Sequence, residues 1–187
     1  MIFTPTALAG AYVIDVERKE DERGFFARVH CVDELAARGL SFDTVQASIS
    51  WNVRRGTLRG LHYQIGADAE TKIVRCTLGR AFDVLLDVRP RSPTCGRWIG
   101  VELSARNRRS LFVPAGIAHG FQTLEDGTEM HYQMDRRQAP AAARGVRWDD
   151  PAIAIAWPLP GIAFLSPADR VLPDLAAALK QIATDLG

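Results

Sequence analysis

The stretch AFDVLLDV, residues 81–88, sets Phe82, Val84, Leu86 and Val88 against Asp83, Leu85 and Asp87. Successive side chains of an extended chain point to opposite faces, so this alternation predicts a β-strand with one apolar face and one mixed face. The segment KIVRCTL, residues 72–78, precedes it across Gly79, and the two together predict a hairpin.

Outward from this pair, short apolar segments separated by Gly, Pro, Asn or Asp run from about residue 45 to 135. Further strands are predicted over residues 45–51, 97–103, 110–113, 118–124 and 128–134, the last two joined by Glu125, Asp126 and Gly127. Helical periodicity is confined to the margins. Residues 32–38 form a short candidate closed by Gly39, and a C-terminal helix over about residues 172–186 carries the apolar stripe Leu175, Leu179, Ile182 and Leu186. The pattern predicts an all-β antiparallel sandwich or barrel with a few short peripheral helices. No internal repeat or low-complexity linker divides the 187 residues, so one domain is predicted.

Composition narrows the function classes. Lys plus Arg number 23 against 22 Asp plus Glu, and the net charge of +1 gives no reason to expect binding to nucleic acid or to an anionic membrane. Any anion site must therefore be local. Cys31, Cys76 and Cys95 are odd in number and lack C-x-x-C spacing, which argues against a disulfide framework and fits a reducing cytoplasm. The N-terminus has no basic segment before its apolar run, and no apolar run is long enough to predict a membrane span.

The chemistry-bearing candidates begin with the four histidines, His30, His62, His119 and His131. His62 stands in LRGLHYQ, residues 58–64, where it reads as a core histidine, a metal ligand or a base. A metal site needs three or four converging ligands, yet Gln64 occupies the position two beyond His62 and no H-x-H occurs, which argues against metal. His119 follows the turn residues of PAGIAH, residues 114–119, and by itself reads equally as a satisfied core residue. Arg59 and His62 are an odd number of positions apart, so an ideal strand would send them to opposite faces; Gly60 is the residue that could supply a bulge to reconcile them. Strand parity groups Tyr132 with Met130 and Met134 and sends His131 to the other face.

The P-x-G-x-x-H form of PAGIAH resembles the second motif of the cupin-type antiparallel β-barrel, or jelly roll, with the metal-ligand part of the first motif gone. From Asp21 to Asp169 the chain is similar to the dTDP-4-dehydrorhamnose 3,5-epimerase family. DERGFF, LRGLHYQ, KIVRC, FDVLLDVR, SPT, GVELSARNRR, VPAGIAHGF and RWDDPAIAIAWP match in order and spacing.

The resemblance implies a cofactor-independent epimerase that inverts C3 and/or C5 of a nucleotide-linked 4-keto-6-deoxy sugar, within deoxysugar biosynthesis. It implies His62 as the base, Asp169 as its carboxylate partner, Tyr132 as the acid on the opposite face, and Lys72 beside the C4 oxygen. Arg59 is implied as a diphosphate ligand, with Gln46, Ser48 and His119 at further substrate-contacting positions, Ser48 standing where asparagine is more usual. Arg23 and Phe26 match a pair that a homodimer lends to the neighbouring subunit's pocket. The departures cluster on the nucleotide side. Arg28 and Ala143 replace glutamates, Ala168 replaces a lysine, and Arg137 and Gln138 replace tyrosines, leaving the base that is recognised open.

Overall fold

The computed structural model describes residues 1–161 and 164–185. Its strands are β1 (Ile2–Pro5), β2 (Tyr12–Asp15), β3 (Lys19–Asp21), β4 (Gly24–Phe26), β5 (Gln46–Asn52), β6 (Leu58–Gln64), β7 (Lys72–Leu78), β8 (Arg80–Asp87), β9 (Trp98–Ser104), β10 (Ser110–Val113), β11 (Ile117–Thr123), β12 (Thr128–Met134) and β13 (Ala143–Gly145). The helices are α1 (Val32–Ala36), α2 (Pro167–Arg170) and α3 (Leu175–Asp185). A six-stranded sheet has the order β1-β2-β10-β7-β12-β5, a five-stranded sheet the order β13-β6-β11-β8-β9, and β3 pairs with β4 alone.

The pairings between these strands are antiparallel, as expected for a jelly roll. The two large sheets enclose a core to which Val74, Leu85, Leu111, Phe121 and Met130 contribute. Hydrogen bonding does not close the described strands into a continuous barrel, so the jelly roll is a sandwich of two sheets.

The strand read from residues 81–88 holds, and both of its faces are buried. Ala81 and Leu85 point between the sheets, whereas Val84 and Leu86 join Ile182 and Ala178 of α3 on the outer face. The C-terminal helix starts at Leu175, later than the expected 172; Leu186 lies outside the described residues. On the outer face of the six-stranded sheet, α1 packs Leu35 against Phe42, Ile73 and Phe112.

The predicted hairpin of residues 72–78 and 81–88 is not a hairpin. β7 bonds to β10 and β12, while β8 bonds to β9 and β11, so Gly79 carries the chain from one sheet into the other. The segment Glu125 to Gly127 does the same between β11 and β12. A tight corner between sheets needs the same left-handed glycine as a hairpin turn, and the sequence signal is identical. At Gly79, φ is +70° and a Cβ would meet Thr128 Oγ1 at 2.6 Å.

Candidate active site

The two sheets separate enough on one side to leave a cavity of about 620 Å³. His62 and Arg59 of β6 and His119 of β11 line it from the five-stranded sheet. Gln46 and Ser48 of β5, Lys72 of β7 and Tyr132 of β12 line it from the six-stranded sheet. Asp169 closes one side from α2.

Arg59 and His62 share this cavity because β6 carries one residue more than its partner. His119 is registered with His62 but Phe121 with Arg59, so three steps on β6 match two on β11. The extra residue is accommodated at Gly60, where φ is +111° and a Cβ would lie 2.7 Å from both Gly120 Cα and His119 O. The expected bulge is therefore present, and the parity conflict disappears.

His62 Nε2 lies 2.6 Å from Asp169 Oδ1. The other carboxylate oxygen accepts from the Gly60 N–H at 3.4 Å, and the Asp169 N–H donates to Ser166 Oγ, which caps α2. Burial would raise the Asp169 carboxyl, but the hydrogen bond and charge of His62, with the Gly60 N–H, outweigh it and hold the group below the usual carboxylate range. An anionic Asp169 places the imidazole proton on Nε2 and leaves Nδ1 as the basic nitrogen.

His119 has a carboxylate of its own. Its Nε2 is 2.9 Å from both oxygens of Asp83, and the pair is buried. Burial raises the Asp83 carboxyl, opposed by the His119 charge, the His119 hydrogen bond and Lys72. Sequence reasoning missed Asp83 as a site residue, although its signal was there: a carboxylate on the inward parity of a strand buried on both faces.

Tyr132 packs edge-on to His119, with ring centroids 5.8 Å apart. Burial, aided by the negative charge of Asp83, drives its phenol far above the usual tyrosine range, so the hydroxyl stays protonated. Lys72 Nζ is 2.8 Å from Glu70 Oε1, with both side chains almost covered. Gln46 Oε1 accepts from the Gln138 N–H at 3.2 Å at the cavity edge. Asn52 and Glu70, which hold Arg59 and Lys72, carried no sequence signal.

The structure does not bring Arg23, Phe26 and Arg28 to this cavity. Arg23 extends from the β3–β4 hairpin and pairs with Asp21 at 2.6 Å, Phe26 is 74% exposed, and Arg28 binds Glu34 at 2.8 Å. Ala143 and Ala168 line the cavity where the expected glutamate and lysine are missing. Among the described residues, no group of three or more His, Cys, Asp or Glu converges as metal ligands, and no helix is long and apolar enough to cross a membrane.

Comparison with known proteins gives a consistent result. A sequence profile described as dTDP-4-dehydrorhamnose 3,5-epimerase matches residues 5–177. The dTDP-4-dehydrorhamnose 3,5-epimerase of Salmonella typhimurium is 40% identical over 182 residues, 96% of this chain and 98% of that protein. The crystal structure of the Bacillus anthracis enzyme of that name, with TDP and PPi bound, superposes with a TM-score of 0.88 at 37% identity and covers 92% of this chain and 98% of its own. That of the Legionella pneumophila epimerase in complex with dTDP-4-keto-L-rhamnose gives 0.87 at 34% identity, covering 95% and 96%.

Proposed function

The chain belongs to the dTDP-4-dehydrorhamnose 3,5-epimerase family, and we propose that its cavity binds a dTDP-linked 4-keto-6-deoxyhexose and inverts C3 and C5 by successive proton transfers. The observation that carries this reading is an imidazole–carboxylate pair and a phenol on opposite walls of one cavity. The His62–Asp169 pair belongs to one sheet and its adjoining helix, and a fully protonated Tyr132 belongs to the other.

In this mechanism the C–H bond next to the C4 ketone breaks and its proton goes to His62 Nδ1, while the electron pair moves into the enolate. Asp169 keeps the ring in the tautomer that can accept and stabilises the imidazolium. The Lys72 ammonium donates to the oxygen that gains charge, an interaction worth roughly 3 kcal/mol in a water-poor site. Tyr132 returns a proton to the opposite face of the carbon; solvent then reprotonates its phenolate and takes the proton from the His62 imidazolium, which resets both groups before the next inversion. His119, held by Asp83, packs against Tyr132 and contacts the sugar, with Gln46 and Ser48 at its rim. Arg59 grips the diphosphate, for which guanidinium geometry is suited.

Arg23 and Phe26 complete the nucleotide end only in a homodimer, each hairpin reaching the neighbour's cavity, with Arg28 at its base. Ile49, Trp51 and Val53 are half or more exposed on and beside edge strand β5 and give a second copy apolar surface to cover. A sugar-nucleotide enzyme of this kind works in the cytoplasm.

The test is proton exchange in deuterated water with dTDP-4-keto-6-deoxyglucose, followed by NMR. Deuterium at both C3 and C5 is expected. Label at one carbon would narrow the protein to a mono-epimerase, and tight binding with no label would make it a non-catalytic binder.

A further inference from the structure

Arg59 forms no ion pair among the described residues, a trait it shares with several other arginines. What sets it apart is the partner of its Nε–H, since Arg89, Arg109 and Arg147 turn that donor to a carboxylate. The Arg59 Nε–H donates instead to Asn52 Oδ1 at 2.8 Å. Asn52 is the last residue of β5 and is only 2% exposed. Its amide nitrogen donates to Ser50 O at 2.9 Å and Thr128 O at 3.1 Å. Flipping the carboxamide would set its NH₂ against the Arg59 Nε–H and its oxygen against two carbonyls, so the backbone of the six-stranded sheet fixes which atom faces the arginine.

The bond crosses from one sheet to the other at the edge of the cavity. An oxygen is all that is needed to orient a guanidinium through Nε, and either a carboxylate or a carboxamide could supply it. A carboxylate would also cancel the charge, leaving little attraction for an anion. A buried carboxamide orients the group and leaves its full charge, with both terminal nitrogens, for the cavity.

We propose that Asn52 is a positioning residue for diphosphate recognition: it aims Arg59 into the cavity as an uncompensated cation. This rests on reading the cavity as a nucleotide-sugar site.

The test is calorimetric titration of the full-length protein with dTDP, and with inorganic diphosphate as a second probe, beside steady-state kinetics. Asn52→Ala is expected to weaken dTDP binding roughly tenfold, the loss of one charge-assisted hydrogen bond. Asn52→Asp keeps an oxygen but adds a charge and is expected to weaken it at least as much. In an Arg59→Ala background, Asn52→Ala should change affinity less than about twofold, because the residue acts only through Arg59. In the single Asn52→Ala variant KM should rise while kcat holds, a split that a general loosening of the fold would not give.

Wild-type affinity in Asn52→Asp, or a full additional loss in the Arg59→Ala background, would overturn the proposal. Should the Asn52 variants not fold, Arg59→Lys decides with Asn52 in place. It keeps the charge but loses the Nε–H, and wild-type affinity there overturns the proposal equally. A wild-type protein that binds neither probe also overturns it. Binding without deuterium exchange sinks the epimerase reading alone, and the affinities still decide the role of Asn52.

Discussion

His62 and His119 are register partners on adjacent strands, yet each is paired with a different carboxylate at a different depth. The His62 side chain is 49% exposed beside Asp169, whereas His119 and Asp83 are 5% and 0% exposed. A half-exposed imidazole can exchange protons with a substrate and with water. A nearly covered one, showing the cavity only a small part of its ring, is fixed in place by its carboxylate.

The two histidines should therefore respond differently to removal. His62→Ala is expected to lower proton exchange by about 10²- to 10⁴-fold, the worth of a general base, and to cost less stability than His119→Ala, because the half-exposed site of its imidazole lets water reach Asp169. His119→Ala strands a buried carboxyl without its partner and should cost about 3 kcal/mol of stability. Denaturant unfolding of both variants, with NMR exchange of the first, checks the contrast. Equal destabilisation by the two would refute it.

Tyr132→Phe removes the phenol that faces the cavity from the opposite wall. Proton loss to His62 should persist, so substrate deuterated at C3 or C5 would still release its label in ordinary water. Inverted product should fall by about 10²-fold or more if the phenol is the acid. Undiminished inversion would transfer the acid role to another group.

Much of this site was legible because a jelly roll writes itself as alternating strands broken by turn residues. The pair Arg59 and His62 posed a parity conflict that only a bulge at Gly60 could resolve, and the bulge is there. What stayed hidden was which side chains meet. Gly79 reads the same whether it closes a hairpin or turns a corner between sheets. Asp83 was visible as a carboxylate in a buried strand, but its partner His119 stands 36 positions away; Glu70 and Asn52 are near Lys72 and Arg59 in sequence, yet no local pattern says that these side chains meet.

If Arg23 and Phe26 serve the neighbouring subunit, two inactive variants should rescue each other. Arg23→Ala with Phe26→Ala damages what a subunit lends, and His62→Ala damages what it keeps. A heterodimer of the two has one intact cavity, so statistical mixing through co-expression should recover about one quarter of wild-type activity. Activity no higher than that of the parents would place the hairpin outside the site.

The acid stability of the fold should depend on a carboxylate far from the chemistry. Asp87 ends β8 with its side chain fully buried, facing Arg89 at 2.7 Å, Ser92 Oγ at 2.5 Å and Thr94 Oγ1 at 2.6 Å. Burial alone would raise its carboxyl, but these donors outweigh that and hold it down to about 2, against an ordinary value of 3.8. The unfolded chain therefore takes up a proton here more readily than the folded one. Stability from this group is complete above about pH 5 and is lost as pH falls toward 2, by about 2 kcal/mol in total. Asp87→Asn should be less stable than wild type at pH 7, and the gap should shrink steadily below pH 4. Urea unfolding of both proteins from pH 2.5 to 7 checks this. A constant gap across that range would mean that the loop from Arg89 to Thr94 depends on Asp87 for its shape and not for its charge.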